Sequence, residues 1–173
     1  IPVLFGKSAY AHDRFNEIHF RFEGPRQHRI EVIFRCYDDA IALRYHLPAN
    51  GKTGSVTITD ETTSFRFERE PTAFAQYLEN YKTSHEHNVV QVPYGDIPPG
   101  ALLDMPLTFQ WADGTYAAIT EASLRRYAGM SLRCHPNATT RPELVCQLTP
   151  RNDRTKVVRT LPMHTPWRVV LIG

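Results

Sequence analysis

Alternating hydrophobic and polar residues run through most of the chain and predict short β-strands. Residues 17–23 read EIHFRFE, in which every second residue is apolar, and this period of two is typical of a strand with one buried face. Residues 29–37 and 41–47 repeat the pattern on either side of a short acidic turn, so they predict a hairpin. Its inward face, directed at one core, would consist of Ile30, Val32, Phe34, Ile41, Leu43 and Tyr45.

A second hairpin is predicted within residues 106–120. Asp113-Gly114 separates two strand-like runs, and Gly accepts the positive φ that a primed turn requires. The return strand leads into Glu121, a carboxylate at the mouth of the hairpin with apolar Ile119 and Leu124 on either side. Glu121 is therefore the candidate functional residue, and the alternative is a solvated acidic side chain that merely ends a strand.

The remaining segments predict one short helix and further strands, so the fold class expected is an all-β, antiparallel sandwich with one short helix. Residues 72–82 place Phe74, Tyr77, Leu78 and Tyr81 at helical spacing behind a capping Thr72, which predicts a helix whose aromatic stripe packs in the core. Further strands are predicted in six segments, and turn signals recur about every eight to twelve residues. The six segments are 56–59, 64–68, 130–133, 144–148, 156–160 and 167–172.

Composition fits a single globular domain spanning residues 1–173. The hydrophobic content of 42% and charged content of 22% are ordinary for a folded protein. A net charge of +2, with scattered Lys and Arg, gives no basic footprint for nucleic acid. No run of about 18 apolar residues is present, so no membrane-spanning segment is predicted.

Metal and disulfide chemistry receive little support from residue spacing. His85-Glu86-His87 has two imidazoles but no evident third or fourth ligand, so a metal site there is not expected. Cys134 and Cys146 bracket a loop and are close enough in sequence to form a disulfide, but buried free thiols are the favoured interpretation. Asn137-Ala138-Thr139 is a formal glycosylation sequon.

Five segments, in their order and approximate spacing, resemble the N-terminal domain of glycoside hydrolase family 97. The first is FRCYDDAIALRY at residues 34–45, and the last is TPWRV at residues 165–169. Between them lie DETTSF, PLT and the ITEA segment with its following apolar residues, at positions 60–65, 106–108 and 119–130.

The resemblance implies a β-super-sandwich of the mutarotase-like type that precedes a (β/α)8 catalytic barrel. It implies a calcium-dependent α-glycosidase acting on oligosaccharides, and leaves open an inverting α-glucosidase or a retaining α-galactosidase. The acid of the family's EA-x-L segment corresponds to Glu121 and would donate one calcium ligand across the domain interface. Trp167-Arg168 would lead into the barrel, which would carry every catalytic residue and the other calcium ligands, and the isolated chain would be inactive.

Two departures from the family and one difference in length lead to further expectations. Ala40 replaces a glycine at the turn, and Leu43 replaces a phenylalanine. The family domain is longer at its start and the chain begins at Ile1 without Met, so we expect an N-terminally incomplete fragment of a larger enzyme. An unpaired strand edge would then favour self-association. The resemblance also implies a periplasmic or secreted bacterial protein.

Two other functions compete with this interpretation. A free-standing carbohydrate-binding module would use Trp111, Tyr116, or Tyr77 together with Tyr81 as stacking platforms. A protein-interaction sandwich would need no sugar chemistry at all, because a fold fixes no function by itself.

Overall fold

The computed structural model describes residues 1–3, 9–10, 12–25, 28–49, 54–136 and 142–173, and the 137–139 sequon lies outside them. The described part of the chain forms sixteen β-strands and a 3-10 turn at Tyr94–Asp96. The strands are β1 (Asn16–Glu23), β2 (Arg29–Cys36), β3 (Ala40–Leu47), β4 (Ser55–Ile58), β5 (Ser64–Phe65), β6 (Thr72–Ala75), β7 (Tyr77–Leu78), β8 (Val90–Pro93), β9 (Leu102–Leu103), β10 (Leu107–Gln110), β11 (Tyr116–Ala122), β12 (Met130–Cys134), β13 (Leu144–Leu148), β14 (Val157–Thr160), β15 (Met163–His164) and β16 (Trp167–Ile172).

The strands form two facing sheets and a small ribbon, all with antiparallel pairing. The larger sheet has the order β1-β2-β3-β16-β11-β10-β6-β8, with β15 beside β3. The smaller sheet has the order β5-β13-β12-β9-β7, and β14 pairs with β4. This arrangement confirms the predicted antiparallel sandwich and places strands distant in sequence side by side.

The main core lies between the smaller sheet and the β16–β8 half of the larger sheet. Inward side chains of the larger sheet, such as Leu107, Phe109 and Ile119, are fully buried there. Leu132 and Leu144 meet them from the smaller sheet and are equally inaccessible to water. Packing of this kind is the dominant favourable contribution to folding.

The predicted inward face of the first hairpin does not face a packed core in this chain. Its residues do share one side of the larger sheet, but none of the six is fully buried. Ile41 is 43% exposed, and Phe34 is only half-buried. On β1, Ile18, Phe20 and Phe22 are 51%, 45% and 54% exposed.

The buried residues at the centre of this hairpin are Ile33 and Ala42, which point to the opposite side of the sheet and pack with Trp167. The predicted inward face is therefore wrong for this hairpin, because apolar residues occur on both faces and alternation alone does not decide which face is covered.

The predicted helix over residues 72–82 is wrong. Residues 72–75 form β6, which pairs with β10 and β8, and Tyr77–Leu78 crosses to the smaller sheet and pairs with β9. The residues of β6 that the core requires are Ala73 and Ala75, both fully buried, rather than Phe74. Long-range pairing overrides the helical spacing, since alanine is a weak signal in an alternation pattern.

The second hairpin is confirmed. Strands β10 and β11 pair in register from Leu107 with Ile119 to Gln110 with Tyr116. Gly114 adopts a φ of +87°, which a residue with a Cβ would adopt only with strain. No helix within the described residues is long and apolar enough to cross a membrane.

We predict that two phenylalanines of the larger sheet differ in their contribution to stability. Phe109→Ala should cost about 3–5 kcal/mol in the free energy of unfolding, because its ring is fully buried. Phe34→Ala should cost only about 1–2 kcal/mol, because its ring is partly exposed. Urea denaturation followed by circular dichroism measures both, and equal losses would contradict the open face of β1–β3.

Candidate functional site

Glu121 lies near the end of β11, directly opposite Arg168 of β16. The two residues are register partners, so their side chains project from the same, inward face of the larger sheet. Arg168 follows Trp167 at the start of an otherwise apolar strand. A charged side chain in such a position must find partners inside the protein.

Arg168 is fully buried and donates hydrogen bonds to two carboxylates. Its Nε and Nη2 donate to the two carboxylate oxygens of Glu61 at 2.7 and 2.6 Å, a bidentate contact. Its Nη1 donates to Oε2 of Glu121 at 2.7 Å. The guanidinium side chain has no exposed surface, against 5% for Glu61 and 13% for Glu121.

Hydroxyl groups satisfy the rest of Glu61. Thr63 Oγ1 donates to its Oε1 at 3.0 Å, and Tyr127 OH makes a longer contact to Oε2 at 3.4 Å. Tyr45 OH donates in turn to Thr63 Oγ1 at 2.8 Å. These contacts continue the chain of hydrogen bonds from the ion pair to two partly buried tyrosines, and such satisfied polar networks fix side-chain positions.

The charges of this cluster shift neighbouring pKa values in a consistent way. Burial alone would lower the pKa of Arg168, but the hydrogen bonds and charge of Glu61 outweigh it and raise that pKa. Burial, with the Glu61 charge next, raises the pKa of Tyr127. Burial also raises the pKa of the Cys146 thiol beside the cluster. Arg168 is therefore ionised, while the tyrosine and thiol remain neutral.

Glu121, whose side chain is 13% exposed, is more enclosed than a solvated acidic side chain that merely ends a strand. Its Oε2 accepts from Arg168, and its Oε1 accepts from the backbone N–H of Met130 at 3.2 Å. A carboxylate has about four lone-pair sites, so each oxygen retains one. The carboxylate is thus held in one orientation while acceptor capacity remains on its open side.

The donor set fits one ligand of an oxygen-preferring cation such as Ca²⁺. Calcium takes about six to eight oxygens at about 2.3–2.6 Å, and one carboxylate supplies at most two. Among the described residues, no group of three or more His, Cys, Asp or Glu side chains is arranged to hold a metal ion. The described residues therefore offer one carboxylate with remaining acceptor sites, and not a complete set of ligands.

The other candidate residues do not converge on this cluster. His85 pairs with Asp104 at 2.7 Å, whereas His87 contacts Thr83, and neither lies on a strand. Both candidate disulfide cysteines are free and buried, as favoured.

The proposed sugar platforms are also dispersed. Trp111 packs beside Phe67 against the core, whereas Tyr116 is 42% exposed at the start of β11. Tyr77 also packs against the core, and the Tyr81 hydroxyl accepts a contact from Arg133 at 3.4 Å.

Sequence reasoning missed Glu61 and the internal role of Arg168. A usable signal was present for Arg168, because an arginine inside the run WRVVLI predicts a buried carboxylate partner. Glu61 gave no comparable signal, since it lies in a polar loop segment before β5.

The two facing antiparallel sheets, with a buried ion-pair cluster at one end, define the class as an all-β sandwich domain.

 

The chain belongs to the N-terminal domain family of glycoside hydrolase family 97, since that family's model, described as "Glycosyl-hydrolase 97 N-terminal", matches residues 2–173. This confirms the resemblance seen in the sequence.

Relatives of known name are several times longer than this chain. A "Probable retaining alpha-galactosidase" of Streptomyces bingchenggensis is 30% identical over 169 residues, which cover 97% of this chain and 24% of that protein. A family 97 enzyme from Pseudoalteromonas sp. strain K8, solved in complex with acarbose, superposes with a TM-score of 0.84 at 25% sequence identity. The match covers 100% of this chain and 26% of the enzyme's chain. A solved β-arabinopyranosidase superposes with a TM-score of 0.80 at 26% identity, covering 96% and 28%. The chain therefore spans about a quarter of the length of these relatives.

We predict that Arg168→Met costs about 3–5 kcal/mol in the free energy of unfolding, because it leaves the buried Glu61 carboxylate without its counter-ion. The matched control is Arg69→Met, which removes an exposed pair with Asp113 and should cost less than about 1 kcal/mol. Thermal or urea melts of both variants test the difference. Similar, small losses in the two variants would show that the buried pair is not required for the fold.

Proposed function

We propose that this chain is the N-terminal domain of a longer, calcium-dependent α-glycosidase. In this proposal the domain packs against a (β/α)8 catalytic barrel and donates the Glu121 carboxylate as one calcium ligand. The observation that carries the proposal is the fixed, partly accessible carboxylate of Glu121, held between Arg168 and the Met130 N–H. The length of the family relatives supports a further catalytic portion.

The domain's own contribution is positional. Its two sheets fix the end of β11, so the Glu121 carboxylate has a defined direction before any partner arrives. A bound calcium ion would supply positive charge that orients the substrate and stabilises developing negative charge. No catalytic residue is assigned to this chain, and the acid, base or nucleophile would belong to the barrel.

The substrate class we propose is an α-glucoside or an α-galactoside. The name of the Streptomyces relative, "Probable retaining alpha-galactosidase", supports the galactoside. The solved β-arabinopyranosidase is named for a different sugar, so structural similarity does not by itself select the substrate. The choice between these sugars depends on the proposed barrel. A periplasmic or secreted location is part of the same proposal and is supported by the family resemblance.

The first test asks whether the isolated domain hydrolyses glycosides and whether Glu121 affects the activity of the longer polypeptide. The purified 173-residue chain should not hydrolyse aryl α-glucosides or α-galactosides, because it supplies only one ligand and no catalytic pair. In the longer polypeptide, Glu121→Gln should lower calcium affinity and activity together, because an amide is a weaker ligand than a carboxylate. Turnover by the isolated chain, or unchanged activity of the variant at limiting calcium, would contradict the proposal.

We also propose that the isolated chain self-associates. Within the part of the chain that the structure describes, β1 is an edge strand, so one side of its eight-residue backbone has no partner strand there, and its apolar side chains are about half exposed. Sedimentation velocity should show a mass that rises with concentration, and Phe20→Lys should reduce it, whereas Tyr116→Lys at another exposed site should not. A strictly monomeric chain at high concentration would refute this proposal.

A further inference from the structure

We propose that Arg168, neutralised by Glu61, is the positioning residue that orients the Glu121 carboxylate toward the cation. This inference rests on the proposed function, because it assigns a role relative to the same calcium ligand. It concerns how this chain prepares that ligand, and none of the three side chains is assigned a catalytic step.

Two hydrogen bonds hold the Glu121 carboxylate in one orientation. Two donors approach different oxygens of Glu121, Arg168 Nη1 at Oε2 and the Met130 N–H at Oε1. Two such contacts fix both the position and the plane of the carboxylate. A glutamate side chain that is already ordered loses little conformational entropy when it ligates a metal, so its affinity for the ion is higher than that of a mobile glutamate.

Glu61 offsets the positive charge that Arg168 places beside Glu121. An arginine beside a metal ligand would by itself oppose the approach of a cation. Glu61 engages the other two donor groups of the same guanidinium, so its negative charge offsets that of Arg168. The three side chains together carry one net negative charge, which Glu121 presents at the most accessible carboxylate of the cluster.

The shape of the guanidinium suits Arg168 to this role. A planar guanidinium directs separate N–H groups at two carboxylates in fixed directions, whereas a lysine ammonium is a compact point charge. Arg168 is itself immobile, because it is fully buried and lies in β16 directly opposite Glu121. The backbone of the larger sheet therefore fixes the orientation of the Glu121 carboxylate through Arg168.

A purely structural ion pair would be indifferent to calcium, and a charge-matched variant separates the two roles. The double variant Arg168→Gln with Glu61→Gln removes one positive and one negative charge, so the net charge of the cluster is unchanged. The matched control, Arg69→Gln with Asp113→Asn, neutralises an exposed pair whose N–O distance is also 2.6 Å. Both double variants are made in the longer polypeptide, and calcium is titrated by isothermal calorimetry.

The expected result is a calcium affinity about tenfold or more lower for the Arg168/Glu61 variant, in the range typical of lost outer-shell partners, and an unchanged affinity for the control. An affinity within about twofold of the parent, in a folded protein, would overturn the inference. If that variant does not fold, Arg168→Lys decides the matter, because it retains the charge but not the fork. A severalfold weaker affinity for calcium supports positioning, and an unchanged affinity overturns it.

Failure of this inference is distinguishable from failure of the proposed function. If Glu121→Gln weakens calcium binding but the Arg168 variants do not, only the positioning role is overturned. If Glu121→Gln itself leaves the affinity for calcium unchanged, the ligand assignment falls, and the positioning role with it. Unfolding temperatures measured with and without calcium keep the loss of stability separate from the loss of binding.

Discussion

The contact between one buried guanidinium and two carboxylates is the constraint on which this end of the domain depends. Removing Arg168 from water is costly, and only close, well-oriented partners offset that cost. Glu61 and Glu121 supply them at 2.6–2.7 Å, and hydroxyl groups occupy further acceptor sites of Glu61. A cluster of this kind contributes less through net stability than through the single arrangement it permits, since any other arrangement leaves a buried charge unpaired.

The three charged residues come from distant parts of the sequence, and the sheet topology brings them together. Arg168 and Glu121 are neighbours because β16 pairs with β11 in the larger sheet. Glu61 arrives from the loop before β5, the edge strand of the smaller sheet, and Thr63 of that loop accepts a backbone hydrogen bond from Cys146. The cluster therefore joins the edge of one sheet to the middle of the other, and it fixes the direction of the Glu121 carboxylate as a consequence.

Local patterns were reliable where local physics decides the structure. The β10–β11 hairpin could be predicted because its turn needs Gly114, and the strand at 167–172 because its apolar run is long. The segment at 72–78 could not, because its fate depends on partners in β8, β9 and β10 that lie elsewhere in the chain. Glu121 was identified from its position at the mouth of a hairpin and from the family resemblance. Glu61 could be identified only once the loop before β5 was seen to lie beside Arg168.

The most direct test of this account is the structure of the longer polypeptide with calcium bound. The account predicts a Glu121 carboxylate oxygen at about 2.3–2.6 Å from the ion, with the Arg168 contacts to Glu61 and Glu121 retained. The other oxygen ligands would come from outside residues 1–173. A calcium site that excludes Glu121, or a Glu121 side chain that ligates only after leaving Arg168, would contradict it.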